Sequence, residues 1–446
     1  MKRINVRTVF QFLFLGALTT VFFSCNGSAG PTPVTIDLSG AQSLFTVLQG
    51  TSSSGLTLKD TSSEEALGQL RKILADGTIQ PVIYQDDNGQ KVAAKVVPSQ
   101  VFVGPDDKVY ITFLNRGVLV GGKQCYLVRG TTGGPLECIG PDNGFNTFNG
   151  STSNPTEAFN KNPPASQFDA SNNFYYLADY HNPWSLKKLS PTGVITDFLK
   201  MNDEVGVAGF NVAPDGTIIF SGTTPSTLNT FLRKTTPAGG VVNLPGINFL
   251  ENLLIAASGD IFSGLTRLPA STGWTTSESI ILPMLTVDNN QQALVTSAGG
   301  GEDSSLLHDS FLEDTSGNVY EVIGDSAKRM YRVYPGTPVA VSPATDKVTF
   351  SRTSGNLLYY AGTDSSNKNI FRRIDLTDPT FPETDLLKGA DIEVYRFQVW
   401  STGNILFGGL RLSDNQLIIG EIDGKTLDIT VKTTTTTRID ELVLIQ

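Results

Sequence analysis

Histidine is nearly missing from this chain. There are two in 446 residues, beside three cysteines and three tryptophans. His181 and His308 are far apart, and no His-x-His or His-x-x-x-His spacing exists, so a transition-metal centre lacks its usual ligands. No Gly-x-Ser-x-Gly is present, which removes the recognised serine nucleophile elbow. The run Gly299-Gly300-Gly301-Glu302-Asp303-Ser304-Ser305 lacks the Gly-Lys-Ser/Thr ending of a phosphate loop and reads as a surface insertion. Basic residues are outnumbered, 33 against 43, and form no stripe, so a nucleic-acid partner is not expected. Charge of either sign is scarce at 17%, yet 25 phenylalanines argue against disorder. With 44 glycines and 23 prolines, the composition suits a turn-rich β protein.

What is abundant is one short phrase. Its clearest copy is Phe210-Asn211-Val212-Ala213-Pro214-Asp215-Gly216-Thr217-Ile218-Ile219-Phe220-Ser221-Gly222. Apolar arms flank a polar turn, which predicts a β-hairpin with Asp215 and Gly216 serving backbone geometry. Similar hairpins are expected at Val101–Phe113, Phe168–Ala178, Leu254–Gly264, Phe311–Val322, Val348–Gly362 and Phe397–Gly409. The residues opening the second arms are spaced 65, 44, 43, 58, 38 and 48 apart. The shorter steps match propeller blades, at about 40–50 residues each. The longer ones imply insertions near 140–165 and 270–308.

A second hairpin is expected after each first one, as at Lys187–Phe198, Phe231–Leu244, Met330–Val341, Ile370–Leu376 onward, and Leu417–Val431. Two hairpins make a four-stranded blade that cannot bury both faces alone; stacking blades in a ring does so. The fold class is therefore all-β: a β-propeller of seven or eight four-stranded blades. Eight is preferred, because a hairpin at Leu70–Tyr84 and a strand at Arg438–Ile445 can join in a composite blade, with the C-terminal strand innermost. Residues 64–75 also carry helical spacing, but the later hairpin copies favour β there. The threonines Thr433–Thr437 suit an outer blade strand or a link to the closing strand.

One unit carries a family resemblance. Phe174-Tyr175-Tyr176-Leu177-Ala178-Asp179 followed by Leu186-Lys187-Lys188-Leu189-Ser190-Pro191-Thr192-Gly193-Val194-Ile195 resembles a repeat of NHL-type and streptogramin-lyase-like propellers. The likeness is good there and at 207–244, and weak at 254–295 and 396–431. It implies architecture, since such propellers serve as lyases, lactonases and interaction platforms. The lyase relatives would use a histidine pair with metal-binding acids, a pattern not matched here, so no catalytic residue and no metal ligand is carried over.

The N-terminus gives an address. Lys2, Arg3 and Arg7 precede an apolar run, Val9 to Phe23, too short for a comfortable membrane span. It ends Phe22-Phe23-Ser24-Cys25, which resembles the lipobox of bacterial lipoproteins, although Phe22 and Phe23 depart from the usual pattern. Residues 1–24 are thus expected to be a lipoprotein signal peptide and Cys25 the lipidated residue; an ordinary secretory peptide is the competing reading. Residues 25–63, rich in Ser, Thr, Gly and Pro, are expected to form a tether, and 64–446 the propeller. Ser39 to Gly50 holds a small apolar group that suits a strand or a short helix. Loss of 1–24 removes three basic and no acidic residues, leaving 30 against 43. Attachment to a bacterial membrane, the outer membrane or cell surface, should then rest on acyl chains rather than charge.

Export permits a disulfide between Cys125 and Cys138 across a hairpin; two buried thiols are the alternative. Tyr180, His181, Trp184 and Trp274 lie in inter-strand loops or insertions and are candidate partner-binding residues, with local packing the competing explanation. No cofactor is expected. Calcium is the one cation the acidic clusters Asp86-Asp87-Asn88-Gly89, Glu302-Asp303 with Asp309, and Glu313-Asp314 would suit, though none has EF-hand spacing and Asp-Asn-Gly is first of all turn chemistry. The expected function is a membrane-anchored platform for a protein or a glycan. The alternative is a hydrolase or lyase with a cation in the central channel.

Overall fold

The structure is a computed structural model. It describes residues 35–48, 68–85, 89–96, 101–112, 118–120, 123–125, 127–131, 135–140, 168–178, 185–200, 206–224, 229–235, 240–245, 253–263, 266–280, 311–323, 329–336, 338–435 and 439–444. Among them the one helical segment is a 3-10 turn at Ala270–Thr272. No helix among them is long and apolar enough to cross a membrane.

A single turn builds the hairpins. Ala213 N–H bonds the Thr217 carbonyl at 2.7 Å and Gly216 N–H bonds the Ala213 carbonyl at 2.9 Å. The same pair of bonds recurs from Leu74, Gly104, Asp169, Ser190, Ala256, Asp314, Asp364 and Trp400. The fourth turn residue has positive φ and is Gly77, Gly193, Gly216, Gly259, Gly317 or Gly403, or else Asp107, Asn172 or Asn367. Only glycine, asparagine and aspartate take that conformation cheaply, so the repeat is legible in sequence at this position.

These hairpins make small antiparallel sheets, lettered here A to H. Sheet A joins the chain's two ends in the order Ile439–Leu444, Ala41–Leu48, Gly68–Leu74, Ile79–Pro81, with Lys95–Val96 also paired to Gly68–Leu74. Sheet B runs Val101–Val103, Val109–Thr112, Leu127–Gly130, Glu137–Gly140. Sheet C holds Phe174–Ala178, Ser185–Leu189 and Ile195–Lys200, with a bridge from Phe168 to Phe174. Sheets D, E, F, G and H begin at Gly206–Val212, Leu253–Ile255, Leu312–Glu313, Lys347–Ser354 and Ile392–Val399, each with three further strands in chain order. This is the all-β propeller pattern: each sheet meanders outward, and the chain then steps to the next.

Burial follows the same succession. Each apolar cluster joins two sheets: Leu44 and Leu70 to Ile111 (A–B), Tyr110 to Phe174 (B–C), Tyr175 to Phe220 (C–D) and Leu232 to Ile261 (D–E). The series continues with Phe262 to Tyr331 (E–F), Tyr320 to Tyr360 (F–G), Phe371 to Phe407 (G–H), and Leu406 and Ile419 to Phe45 and Leu442 (H–A). Apolar side chains on both faces of a strand therefore meet a neighbouring sheet, which explains why the strands read as near-continuous hydrophobic runs.

Two expectations need correction. The segment 25–63 is not all tether, because Thr35–Asp37 and Ala41–Leu48 are strands, with Leu44 and Phe45 fully buried. The small apolar group within Ser39–Gly50 takes the strand alternative, inside the stretch assigned to the tether. Likewise, the span Leu70–Tyr84 is not one hairpin. Ile83–Gln85 leaves sheet A to pair with Thr35–Asp37 and Lys91–Ala93, and Ala41–Leu48 lies between the C-terminal strand and Gly68–Leu74. The helical spacing at 64–75 yields to the strand Gly68–Leu74.

Three first strands carry a β-bulge, at Val207/Gly209, Val348/Phe350 and Val394/Arg396. Opposite the residue before each bulge stands a glycine: Gly222, Gly362 and Gly409. A Cβ on Gly362 would overlap the Lys347 carbonyl oxygen, and one on Gly409 the Glu393 carbonyl oxygen. Backbone cannot yield as a flexible side chain does. Gly409→Ala should therefore destabilise the chain by about 1–3 kcal/mol, seen as a lowered urea midpoint; an unchanged midpoint would show that the bulge is not needed.

Candidate functional site

Most gathered charges in the described residues belong to blade construction. Asp169 accepts from Asn173 N–H at 2.9 Å, from the Asn173 amide, and from Tyr175 Oη at 3.0 Å. Asp314 does the same with Asn318 and Tyr320. Tyr110 donates to Asp106 and Tyr360 to Asp346. Each aspartate ties a turn or loop to a strand tyrosine. Glu313 accepts from Ala257 N–H at 2.8 Å, bridging sheets E and F, and Asp314 accepts from its own turn.

Arginines on third strands repeat a second device. Buried Arg129 meets Glu137 at 2.6 Å, Arg267 meets Asp260 and Glu278, and Arg372 meets Asp346 and Glu383. No group of three or more His, Cys, Asp or Glu able to hold a metal occurs among the described residues.

Asp169 sets an acid limit. Burial raises the Asp169 pKa, but hydrogen bonds from Asn173, Tyr175 and Ser171 outweigh it and hold it below the ordinary 3.8. Because the folded pKa is depressed, this contribution is complete above pH 4 and is lost as pH falls through the folded pKa. Asp169→Asn should cost about 1–3 kcal/mol at pH 6, and the difference from the parent chain should shrink at pH 3, read as urea midpoints at both values. Equal differences at the two pH values would exclude this account.

One concavity differs in kind. A cleft of about 380 Å³ opens between sheets G and H where their bulges lie side by side. That volume is within the range of small-ligand sites. The bulge breaks the alternation: Val394 and Phe397 are buried, while both Tyr395 and Arg396 between them are half-exposed. On sheet G, Thr349 and Phe350 follow buried Val348 in the same way. The lining adds Thr363, Asn369 and Glu393. Tyr395 Oη lies 3.4 Å from Glu393 Oε2, and Arg396 Nη1 donates to the Tyr395 carbonyl at 2.9 Å. The Arg396 and Arg352 guanidinium carbons lie 5.3 and 5.4 Å from the Phe350 ring centroid, which also meets Phe397 edge-on at 5.1 Å. Aromatic surface, the Arg396 cation, an amide, hydroxyls and one carboxylate thus share one recess, with Arg352 beyond its lining. Sequence reading missed it: its signals, a glycine in the second strand and a Thr-Phe or Tyr-Arg pair in the first, mean nothing until the strands pair.

The residues singled out in sequence fare differently. Cys25, Tyr180, His181, Trp184 and His308 lie outside the described residues, as do Asp86–Asn88, Glu302, Asp303 and Asp309. Cys125 and Cys138 are disulfide-bonded, with Cα atoms 5.6 Å apart. Trp274 is not a free loop tip. Its Nε1–H donates to the Gly259 carbonyl at 3.0 Å, its ring lies 4.3 Å from Lys234 Nζ, and it packs on the D–E cluster. The loop indole thus covers nearby apolar surface.

No family model matches the chain, and no curated protein matches it. Among solved structures it is similar to virginiamycin B lyase from Staphylococcus aureus, at 12% identity over 59% of this chain and 81% of that one, with a TM-score of 0.35. It is also similar to a putative TolB from Agrobacterium tumefaciens, at 10% identity over 61% and 81%, TM-score 0.32. A third similarity is to a chain of the nidogen/laminin complex, at 10% identity over 59% and 95%, TM-score 0.31. These overlaps are loose and carry no argument about activity; the propeller is read from the chain's own strand pairing.

Proposed function

We propose that this chain is an exported lipoprotein, acylated at Cys25 and held to a bacterial membrane at the outer membrane or cell surface, whose propeller is a binding platform for a protein or glycan. The observation that carries the binding reading is the polar and aromatic cleft between sheets G and H. Eight blades closed through sheet A form the rigid support; the eight apolar clusters in cyclic succession and the pairing of Ile439–Leu444 with Ala41–Leu48 favour that count. The engagement of turn aspartates and cross-strand glutamates in packing favours binding over a hydrolase or lyase.

Anchoring and binding are tested separately. Cys25→Ala should move the full chain from the membrane fraction to the soluble one and abolish acyl labelling; unchanged partitioning would refute the lipid anchor. The full chain, immobilised, should retain protein or glycan from labelled cell-surface and extracellular-matrix material. Retention of neither would remove the platform reading.

A further inference from the structure

We propose that the cleft between sheets G and H takes a neutral sugar residue of a glycan, an inference that rests on the cleft being the platform's binding site. The lining carries one cation and one carboxylate, Arg396 and Glu393, so the recess has no net charge. Arg396 is already engaged: its guanidinium stands by the Phe350 ring and donates to the Tyr395 carbonyl. Three other side chains keep hydrogen-bonding capacity. Among the described residues, the Glu393 carboxylate meets only the Tyr395 hydroxyl, at a long 3.4 Å. Thr363 and Asn369 are register partners on sheet G, so their side chains share one face of its wall. Both are half-exposed, and neither side chain has a hydrogen-bond partner among the described residues.

The spare capacity is therefore mixed: acceptors on Glu393, donors and an acceptor on Asn369, and a hydroxyl on Thr363. A sugar hydroxyl both donates and accepts. Neighbouring hydroxyls on one ring can thus match the carboxylate on the H wall and the amide and hydroxyl on the G wall. Half-exposed Phe350 adds apolar surface for the C–H groups of the ring. Charged ligands fit less well. A ligand carboxylate would be repelled by Glu393 and would find Arg396 engaged, and the whole-chain charge of −10 adds to the repulsion. An ammonium group would be repelled by Arg396, and it offers donors only, leaving the Asn369 N–H groups unmatched. Size points the same way: about 380 Å³ suits a small group, whereas a stable protein partner needs about 800 Å² of surface.

The test titrates the full chain, followed by NMR, with the methyl glycosides of glucose, galactose and mannose, each beside its uronic-acid and amino-sugar counterparts. At least one neutral glycoside should bind, and both charged counterparts of that sugar should bind more weakly. Glu393→Gln should weaken the neutral glycoside about tenfold. It should also abolish the lead over the uronic acid, because the opposing carboxylate is gone. Asn369→Ala should weaken the neutral glycoside by about threefold to tenfold, and it carries the test alone if Glu393→Gln fails to fold. Failure of every neutral glycoside to bind overturns the inference. So does a charged counterpart that binds as tightly as its neutral sugar, or a neutral sugar indifferent to both substitutions. In each of these cases, capture of surface protein or larger glycan by the immobilised chain leaves the platform reading standing, whereas capture of nothing removes both.

Discussion

A chain ending at residue 438 should lose most of its stability and associate through an exposed strand edge. The missing strand Ile439–Leu444 pairs along Ala41–Leu48 and supplies Leu442, which is fully buried among Phe45, Ile73, Leu406 and Ile419. The Leu442 carbonyl also accepts from Gln398 Nε2 at 2.9 Å, tying sheet H to sheet A. Deleting the leucine side chain alone would cost about 2–5 kcal/mol. Removing the whole strand also unpairs the backbone of Ala41–Leu48 and opens the succession of clusters at the H–A step. An unpaired edge flanked by apolar residues is a template for association. Urea unfolding should show a midpoint far below that of the parent chain, and size-exclusion chromatography should show higher oligomers. A truncated chain that is monomeric and unfolds with the parent would rule out closure through sheet A.

Phe397→Ala should be the most damaging single substitution near the cleft, at about 3–5 kcal/mol. Phe397 is buried, and its ring lies 4.7 Å from Phe371, 5.1 Å from Phe350 and 6.4 Å from Tyr359, measured between centroids. Three rings from sheet G therefore close on one from sheet H, and no small shift of backbone refills the space. Because Phe350 lines the cleft, the cavity should also release Phe350 from its edge-on contact and weaken ligand retention. Phe397→Leu keeps most of the volume and should cost about 1–1.5 kcal/mol. Thermal unfolding of both variants checks the ordering. Equal losses would mean that retained apolar volume restores nothing and would overturn the cavity account.

Legibility varied along the chain for physical reasons. The turns were readable because positive φ restricts residue choice at one position, as at Gly216, Asn172 and Gly403. Hairpin strands were readable because β-branched and aromatic residues crowd both sides of each turn. The strand Ala41–Leu48 was harder, since its partners are nearly four hundred residues away on one side, at Ile439–Leu444, and across a Ser/Thr-rich stretch on the other. The contacts of Trp274 could not be read from sequence because its acceptor, the Gly259 carbonyl, belongs to a turn fifteen residues earlier.

The sequence by itself determined the class of fold, the repeating turn and the apolar segment ending at Cys25, because these depend on backbone conformation and apolar content within a few residues. The tertiary structure alone decided where a site could form. Val348/Phe350 and Val394/Arg396 are ordinary strand residues until Gly362 and Gly409 let the opposing backbone close in. Only then do two bulges, some forty-six residues apart in the chain, stand side by side and turn Phe350, Tyr395 and Arg396 into one recess.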